Sequence, residues 1–234
     1  MKYMGSKNRI AKYILPFILE HKNEVKYYFE PFVGGANVIC KVDNSLIKKG
    51  SDLNPYLIAL LKALQNEQWN YPDEYDNEYY KYVRDHKYEF DPAIVGFIGF
   101  NCYGARFFEG FCRDSLGKRN YYKEYCSNLE KQRVNLGNIE FICSDYKDVI
   151  FPDEPCIVYC DPPYSNTKKY KYNDINYEEF WNWCRTLSKK HFVYISSFDA
   201  PKDFKCIWEK ERSISLTKNT GSKKNIERLF TKNI

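Results

Sequence analysis

Histidine is scarce in this chain: there are three, His21, His86 and His191, far apart from one another. No two of its nine cysteines have C-x-x-C spacing, and the C-x-x-x-C pair Cys156 and Cys160 falls inside an apolar run. Zinc sites draw on clusters of such ligands, so no metal is expected. An odd number of cysteines without a framework spacing suits reduced thiols in a cytosolic compartment. No stretch holds the roughly 20 apolar residues needed to span a bilayer. No long apolar core stands behind the N-terminal charges, so neither a membrane span nor a signal peptide is expected. An internal repeat, a low-complexity linker and the G-x-G-x-x-G dinucleotide fingerprint are all missing as well.

What remains is a chain of 234 residues, 44% hydrophobic, long enough for one core with an insertion. Its net charge of +5 is unevenly spread. Residues 66–93 carry eight acids against Lys81, Arg84 and Lys87, whereas residues 210–232 carry seven bases against Glu211 and Glu227. The basic tail suits a polyanionic partner or a solvated face, and charge alone does not decide between them.

Apolar and polar periods alternate in the manner of an α/β protein. Ser6 is placed to cap a helix over about 7–21 whose apolar face holds Ile10, Ile14, Phe17 and Ile18. Gly5 and the free amides of that helix start suit an anion, or are simply part of a capped amphipathic helix. A strand over 25–30 runs into Pro31-Phe32-Val33-Gly34-Gly35-Ala36, with a helix expected over about 36–43. The two glycines permit close approach to a ligand; a plain strand-to-helix turn accounts for them equally well. A second strand, about 46–51, ends at Asp52, the position of an acid on ribose hydroxyls. With Pro55 at a first helical position, Asn54 or Asp52 also reads as a cap. A glycine turn and an acid about twenty residues on support each other, and together they favour a nucleoside cofactor.

The alternation breaks over 65–138. An acidic helical stretch (73–88) and an apolar one (92–101) lead to Tyr103-Gly104-Ala105-Arg106-Phe107-Phe108-Glu109-Gly110-Phe111-Cys112-Arg113, and then to Lys118 and Arg119. Aromatics interleaved with arginine suit a nucleic-acid surface or, alternatively, a loop packed on the core. A helix over about 121–136 closes this segment. Strands over 139–143 and 191–197, a helix over 177–188 and a terminal hairpin (about 205–211 with 226–231, turning through Lys223 and Lys224) complete the chain.

The apolar run Cys156-Ile157-Val158-Tyr159 ends at Cys160-Asp161-Pro162-Pro163-Tyr164, so Asp161 stands at a strand's carboxyl end, where ligands of open α/β sheets bind. Asp and Pro are also ordinary turn residues. Chemically the stretch suits an exocyclic amine on a nucleobase. That amine is a poor nucleophile because its lone pair is delocalised into the ring. A carboxylate and a backbone carbonyl that accept its two N–H bonds draw the nitrogen towards tetrahedral geometry. Proline supplies a carbonyl without a competing N–H, and a tyrosine offers a face on which the base can stack.

Taken in order, Tyr3-Met4-Gly5-Ser6-Lys7, Glu30-Pro31-Phe32-Val33-Gly34-Gly35, Ser51-Asp52-Leu53-Asn54-Pro55 and Tyr159-Cys160-Asp161-Pro162-Pro163-Tyr164 resemble the Dam-like N6-adenine DNA methyltransferases, in particular small phage and bacterial members. The resemblance covers nearly the whole chain. It implies an α/β fold, a seven-stranded Rossmann-like methyltransferase sheet (1–64 and 139–234) carrying a small, mostly helical target-recognition insert (65–138). It implies S-adenosylmethionine as cofactor, double-stranded DNA as partner, and the cytoplasm of a bacterium or phage-infected host as the place of work. Asp161, Pro162 and Tyr164 take the catalytic positions. Tyr3, Gly5, Lys7, Phe32, Gly34, Gly35 and Asp52 take the cofactor positions, with Asp145 and Tyr146 on the adenine side. Arg113 matches a recognition arginine, and Arg106, Lys118, Arg119, Lys223 and Lys224 are further candidates for DNA contact.

Tyr3 replaces a tryptophan of some members and Ala36 replaces a glycine; the short insert does not match the longer recognition hairpin, so no target sequence carries over. The same Asp-Pro-Pro-Tyr chemistry would serve an RNA adenine or a DNA cytosine-N4 methyltransferase, and a catalytically silent DNA-binding relative would keep the fold.

Overall fold

The computed structural model describes residues 1–102, 106–112, 118–163, 175–214 and 223–232. A seven-stranded sheet forms its centre, built from β1 (Tyr27–Glu30), β2 (Ile47–Asp52), β3 (Ile139–Cys143), β4 (Ile157–Cys160), β5 (Phe192–Ser197), β6 (Lys205–Ile214) and β7 (Lys223–Thr231). The strand order is β3-β2-β1-β4-β5-β7-β6. The first five strands are mutually parallel, while β7 runs antiparallel to both β5 and β6. This is a Rossmann-like α/β sheet of seven strands, as the sequence leads one to expect. Chain direction across the sheet reverses between β1 and β4, so their carboxyl ends open a crevice there.

The central strands are apolar on both faces because helices cover both. On one face Tyr28, Ile157, Tyr159 and Tyr194 join Ile14 and Ile18 of α1 (Ala11–Ile18) and Leu57, Leu60 and Leu61 of α2 (Pro55–Gln65). On the other, Phe29, Val158, Val193 and Ile195 pack against Phe180, Trp181 and Cys184 of α6 (Tyr177–Leu187). Alternate residues of each strand thus serve opposite layers.

Between α2 and β3 lie α3 (Asn77–Asp85), α4 (Pro92–Phe100) and α5 (Tyr121–Arg133). Asp76, Asp91 and Asn120 accept from the first amides of these helices, which is what short polar side chains do before an apolar run. Helix α4 is apolar all round and buried, and Gly96 brings it against the Tyr56 carbonyl of α2.

Two local expectations are corrected. Ser6 does not cap α1: its Oγ accepts from the Asn8 amide, 3.2 Å, and residues 8–10 form turns before the helix begins at Ala11. The helix expected over 36–43 shrinks to a single 3-10 turn, Ile39–Lys41. Ala36 stands at φ 54°, a left-handed conformation that starts no α-helix, and the β-branched Val38, Ile39 and Val42 around the turn resist one.

Candidate active site

Three loops meet at the crevice. After β1, Pro31 to Ala36 turn back over the sheet, and Gly34, at φ 47°, lets the chain pass under the Tyr3 ring. A Cβ on Gly34 would lie 2.8 Å from Tyr3 Cε1, and one on Gly35 2.7 Å from Tyr3 Cβ, so side chains there would displace the ring. The Gln132 amide of α5 donates to the Gly35 carbonyl, 2.7 Å, and pins this loop from the far side.

After β2, Asp52 faces the same loop. Its carboxylate accepts from the Gly34 amide, 3.2 Å, and the Asn54 amide, 3.0 Å. Asn54, rather than Asp52, caps α2, accepting from Tyr56 and Leu57. Burial pushes the Asp52 carboxyl up to about 6, with its two backbone bonds opposing the rise.

After β4 comes Asp161. Its Oδ1 lies 3.0 Å from Lys7 Nζ, and the Lys7 side chain is only 2% exposed. Lys7 also donates to the Gly5 carbonyl, 3.2 Å, and lies 3.5 Å from Glu227 Oε2 of β7. Below them Glu30 is buried and accepts from the Tyr28 hydroxyl, 3.2 Å. Burial first, and the Asp161 charge second, push its carboxyl well up. The two prolines are not equivalent. The Tyr177 hydroxyl, from the first turn of α6, donates to the Pro163 carbonyl.

Tyr3, Gly5 and Lys7 therefore line one cleft together with Gly34, Asp52 and Asp161; Phe32, Gly35 and Pro162 lie on it too. A second cleft shares Phe32 and Asp52 and continues to Asp145 and Tyr146. The two form a groove across the carboxyl ends of β4, β1, β2 and β3. All the cofactor candidates named from the sequence line it.

Candidates for DNA contact are more scattered. Arg106 is ion-paired with Glu109, 2.7 Å, its side chain 19% exposed. Arg119 pairs with Glu124, 2.6 Å, and lines a wider groove that shares Tyr3 and Asn37 with the first cleft. Lys118 is exposed, and the backbone of Lys223 and Lys224 opens β7. Tyr164 and Arg113 lie outside the described residues. Among the described residues there is no cluster of potential metal ligands, and no helix is long and apolar enough to cross a membrane.

Sequence reasoning missed Glu227, Gln132 and Tyr177 as members of this site. Glu227 reads as one acid in a basic hairpin, but β7 is antiparallel and pairs Ser197 with Arg228. That register delivers the preceding residue to the carboxyl edge of β5, beside the crevice. Gln132 and Tyr177 act through hydrogen bonds to main-chain carbonyls, for which the sequence carries no signal.

The family model for D12 class N6 adenine-specific DNA methyltransferases matches residues 3–217. The Type II methyltransferase M.MjaIII of Methanocaldococcus jannaschii is 28% identical over 81% of this chain and 80% of its own. The DNA adenine methylase of Escherichia coli K12 is 26% identical over 98% of this chain and 93% of its own. The Type II methyltransferase M.FokI of Planomicrobium okeanokoites is 24% identical over 79% of this chain, which matches 31% of that longer protein. A family match that spans the crevice, its glycine loop and Asp161 leaves one assignment: the chain belongs to the D12 class N6 adenine-specific DNA methyltransferases and is a site-specific enzyme of DNA adenine methylation.

Proposed function

We propose that the methyl donor is S-adenosylmethionine, that the substrate is duplex DNA, and that the target adenine leaves the base stack to reach Asp161. The carrying observation is the Lys7–Asp161 pair, 3.0 Å, at the switch point of the sheet and on the same cleft as the Gly34–Asp52 wall. The cleft has the features this cofactor needs. A Cβ built on Gly5 would meet nothing within 4 Å, so that residue faces open cleft rather than protein. Asp52 presents a carboxylate for ribose hydroxyls at the junction of the two clefts. Tyr3, Gly5, Phe32, Gly34 and Gly35 would surround the methionine end, and Asp145 and Tyr146 the adenine end. When bound, the cofactor supplies a methyl group activated by its sulfonium.

Asp161 and the Pro162 carbonyl accept the two N–H bonds of the adenine amine. With the Pro163 carbonyl engaged by Tyr177, the Pro162 carbonyl is the second acceptor in this reading. With the cofactor held in this groove, its sulfonium would be the leaving group as N6 takes the methyl, and the Asp161 carboxylate would take the proton shed by the methylated nitrogen and pass it to water. Positioning and electrostatics carry the catalysis. Tyr164 is the proposed stacking ring for the extruded base, whose unstacking costs a few kcal/mol. The segment 65–138 is the proposed recognition insert, with Arg113, Lys118 and Arg119 as its DNA contacts, Lys223 and Lys224 as further ones, and Arg106 ion-paired with Glu109.

The test supplies S-adenosylmethionine with unmethylated duplex DNA, single-stranded DNA or RNA, followed by digestion to nucleosides and mass spectrometry. N6-methyladenine in duplex DNA is the expected product. RNA-only product, or N4-methylcytosine, would overturn the substrate; no product with bound cofactor would overturn the catalytic reading.

A further inference from the structure

We propose that the broad groove opening from the cleft beside Tyr3 is a track for the DNA backbone, in which Arg9 and Lys131 neutralise phosphates flanking the extruded base. The proposal rests on duplex DNA as the substrate, as read above.

The groove has a volume of about 1020 Å³, against about 100 and 210 Å³ for the two clefts read as the cofactor site. It shares Tyr3 and Gly5 with the first of these, so it leads directly into the cleft that holds Asp161. Among the described residues, the charged side chains lining it are Lys2, Arg9, Lys41, Arg119, Lys131 and Glu124. That is five cations to one acid, where the whole chain has 36 to 31. They converge from separate stretches. Lys2 and Arg9 precede α1, Lys41 ends the 3-10 turn after β1, Arg119 precedes α5 and Lys131 stands in its last turn. An ordinary solvated face spreads its charges; gathered in a groove with low-dielectric walls, they focus a positive field on whatever lies in it.

The cations divide by what they already hold. Lys2 and Arg119 share Glu124, Arg119 at 2.6 Å. Lys41 donates to the Asn8 carbonyl, 3.0 Å, and so ties the turn after β1 to the N-terminal loop. Arg9 and Lys131 are exposed and have no ion pair among the described residues. They are therefore the two whose charge serves nothing within the fold. Duplex DNA carries one charge per about 1.7 Å of its axis. A duplex that delivers a base to Asp161 lays several phosphates at the mouth of the cleft, where this groove begins. Such contacts set the position of the duplex and carry no sequence information.

The experiment measures the affinity of the full chain for two short duplexes of unrelated sequence as salt is varied. Arg9→Gln and Lys131→Gln are each expected to lower the slope of log affinity against log salt by about one. The double variant should lower it by about two and bind about tenfold or more weakly at 0.1 M salt, equally on both duplexes. Arg9→Lys and Lys131→Arg keep the charge and should keep the parental slope. Lys189→Gln removes the same charge from an exposed position between α6 and the start of β5, at the opposite end of the sheet from the crevice, and should change nothing. In the parent, bound duplex should shield Lys41 and Lys131 from acetylation, read by peptide mass spectrometry, and leave Lys189 reactive. A parental slope in the double variant, an equal loss in Lys189→Gln, or acetylation of Lys131 that DNA does not slow would overturn the proposal. So would a loss seen with RNA while duplex binding is unchanged. Methylation by the parent separates the two levels. No N6-methyladenine in duplex DNA means that the substrate reading has failed; duplex methylation with a parental slope in the double variant means that only the groove has.

Discussion

Acidification should release the cofactor through Asp52. Burial raises its carboxyl from the usual 3.8 to about 6 in the unliganded protein. Ribose hydroxyls need the ionised form as acceptor. At pH 7 roughly nine-tenths of the molecules carry it, and at pH 5 roughly one-tenth, so the apparent dissociation constant should be about tenfold weaker at pH 5. That is about 1.4 kcal/mol. At pH 6 binding should release about half a proton, readable by calorimetry in buffers of different ionisation enthalpy. Without ligand the neutral form favours folding. The Asp52 contribution to stability is full below pH 3.8 and is lost as pH rises through about 6. Cofactor should therefore raise the melting temperature more at pH 7 than at pH 5. Glu30 lines the same cleft and is also raised, so the Asp52→Asn variant is the control. It should bind more weakly at pH 7 and show a flat profile between pH 5 and 7. A wild-type dissociation constant that does not change over this range, or an equal fall in Asp52→Asn, would refute the assignment.

Three further outcomes are expected. Gly96→Ala would press a methyl into the Tyr56 carbonyl and Leu60 across the α2–α4 contact, and should destabilise the protein by about 2–3 kcal/mol in urea melts despite the better helix propensity of alanine. Unchanged stability would show that α4 has room to move. Gly35→Ala places a Cβ 2.7 Å from Tyr3 and 2.8 Å from Asn37 Nδ2, and should weaken cofactor binding more than it lowers the melting temperature, as titration and thermal melts would show. Tyr177→Phe removes the donor to the Pro163 carbonyl and should slow turnover about tenfold, corresponding to about one lost hydrogen bond, with cofactor affinity unchanged. Wild-type turnover would mean that the prolines hold the loop unaided.

The parts of this site legible in the sequence are those written locally. Asp161 announces itself because an apolar strand stops at a proline pair. Asp52 does so because it follows a glycine turn at the spacing of a nucleoside site. Lys7 was legible as a family position, but its burial between two carboxylates was not. The residues that escaped are contributed over long sequence separations. Glu227 needs the antiparallel register of β7 to reach the crevice. Gln132 reaches the Gly35 carbonyl from α5, nearly a hundred residues along the chain. The missing helix after Gly35 has a local cause that apolar periodicity conceals. Val38, Ile39 and Val42 follow the helical spacing, but a left-handed Ala36 and β-branched side chains leave only one 3-10 turn.

The claim on which the account stands is that the Asp161 carboxylate is the acceptor for the adenine amine. Asp161→Ala tests it without dismantling the fold, because Lys7 keeps Glu227 as its counter-ion at 3.5 Å. The measurement is single-turnover methylation of duplex DNA at saturating S-adenosylmethionine, with cofactor binding measured on the same preparation. The account predicts bound cofactor, a melting temperature near that of the parent, and a rate lowered by about a thousandfold or more. A rate within about tenfold of the parent would contradict it, since a loss of about 1.4 kcal/mol or less is too small for the group that holds the reacting amine.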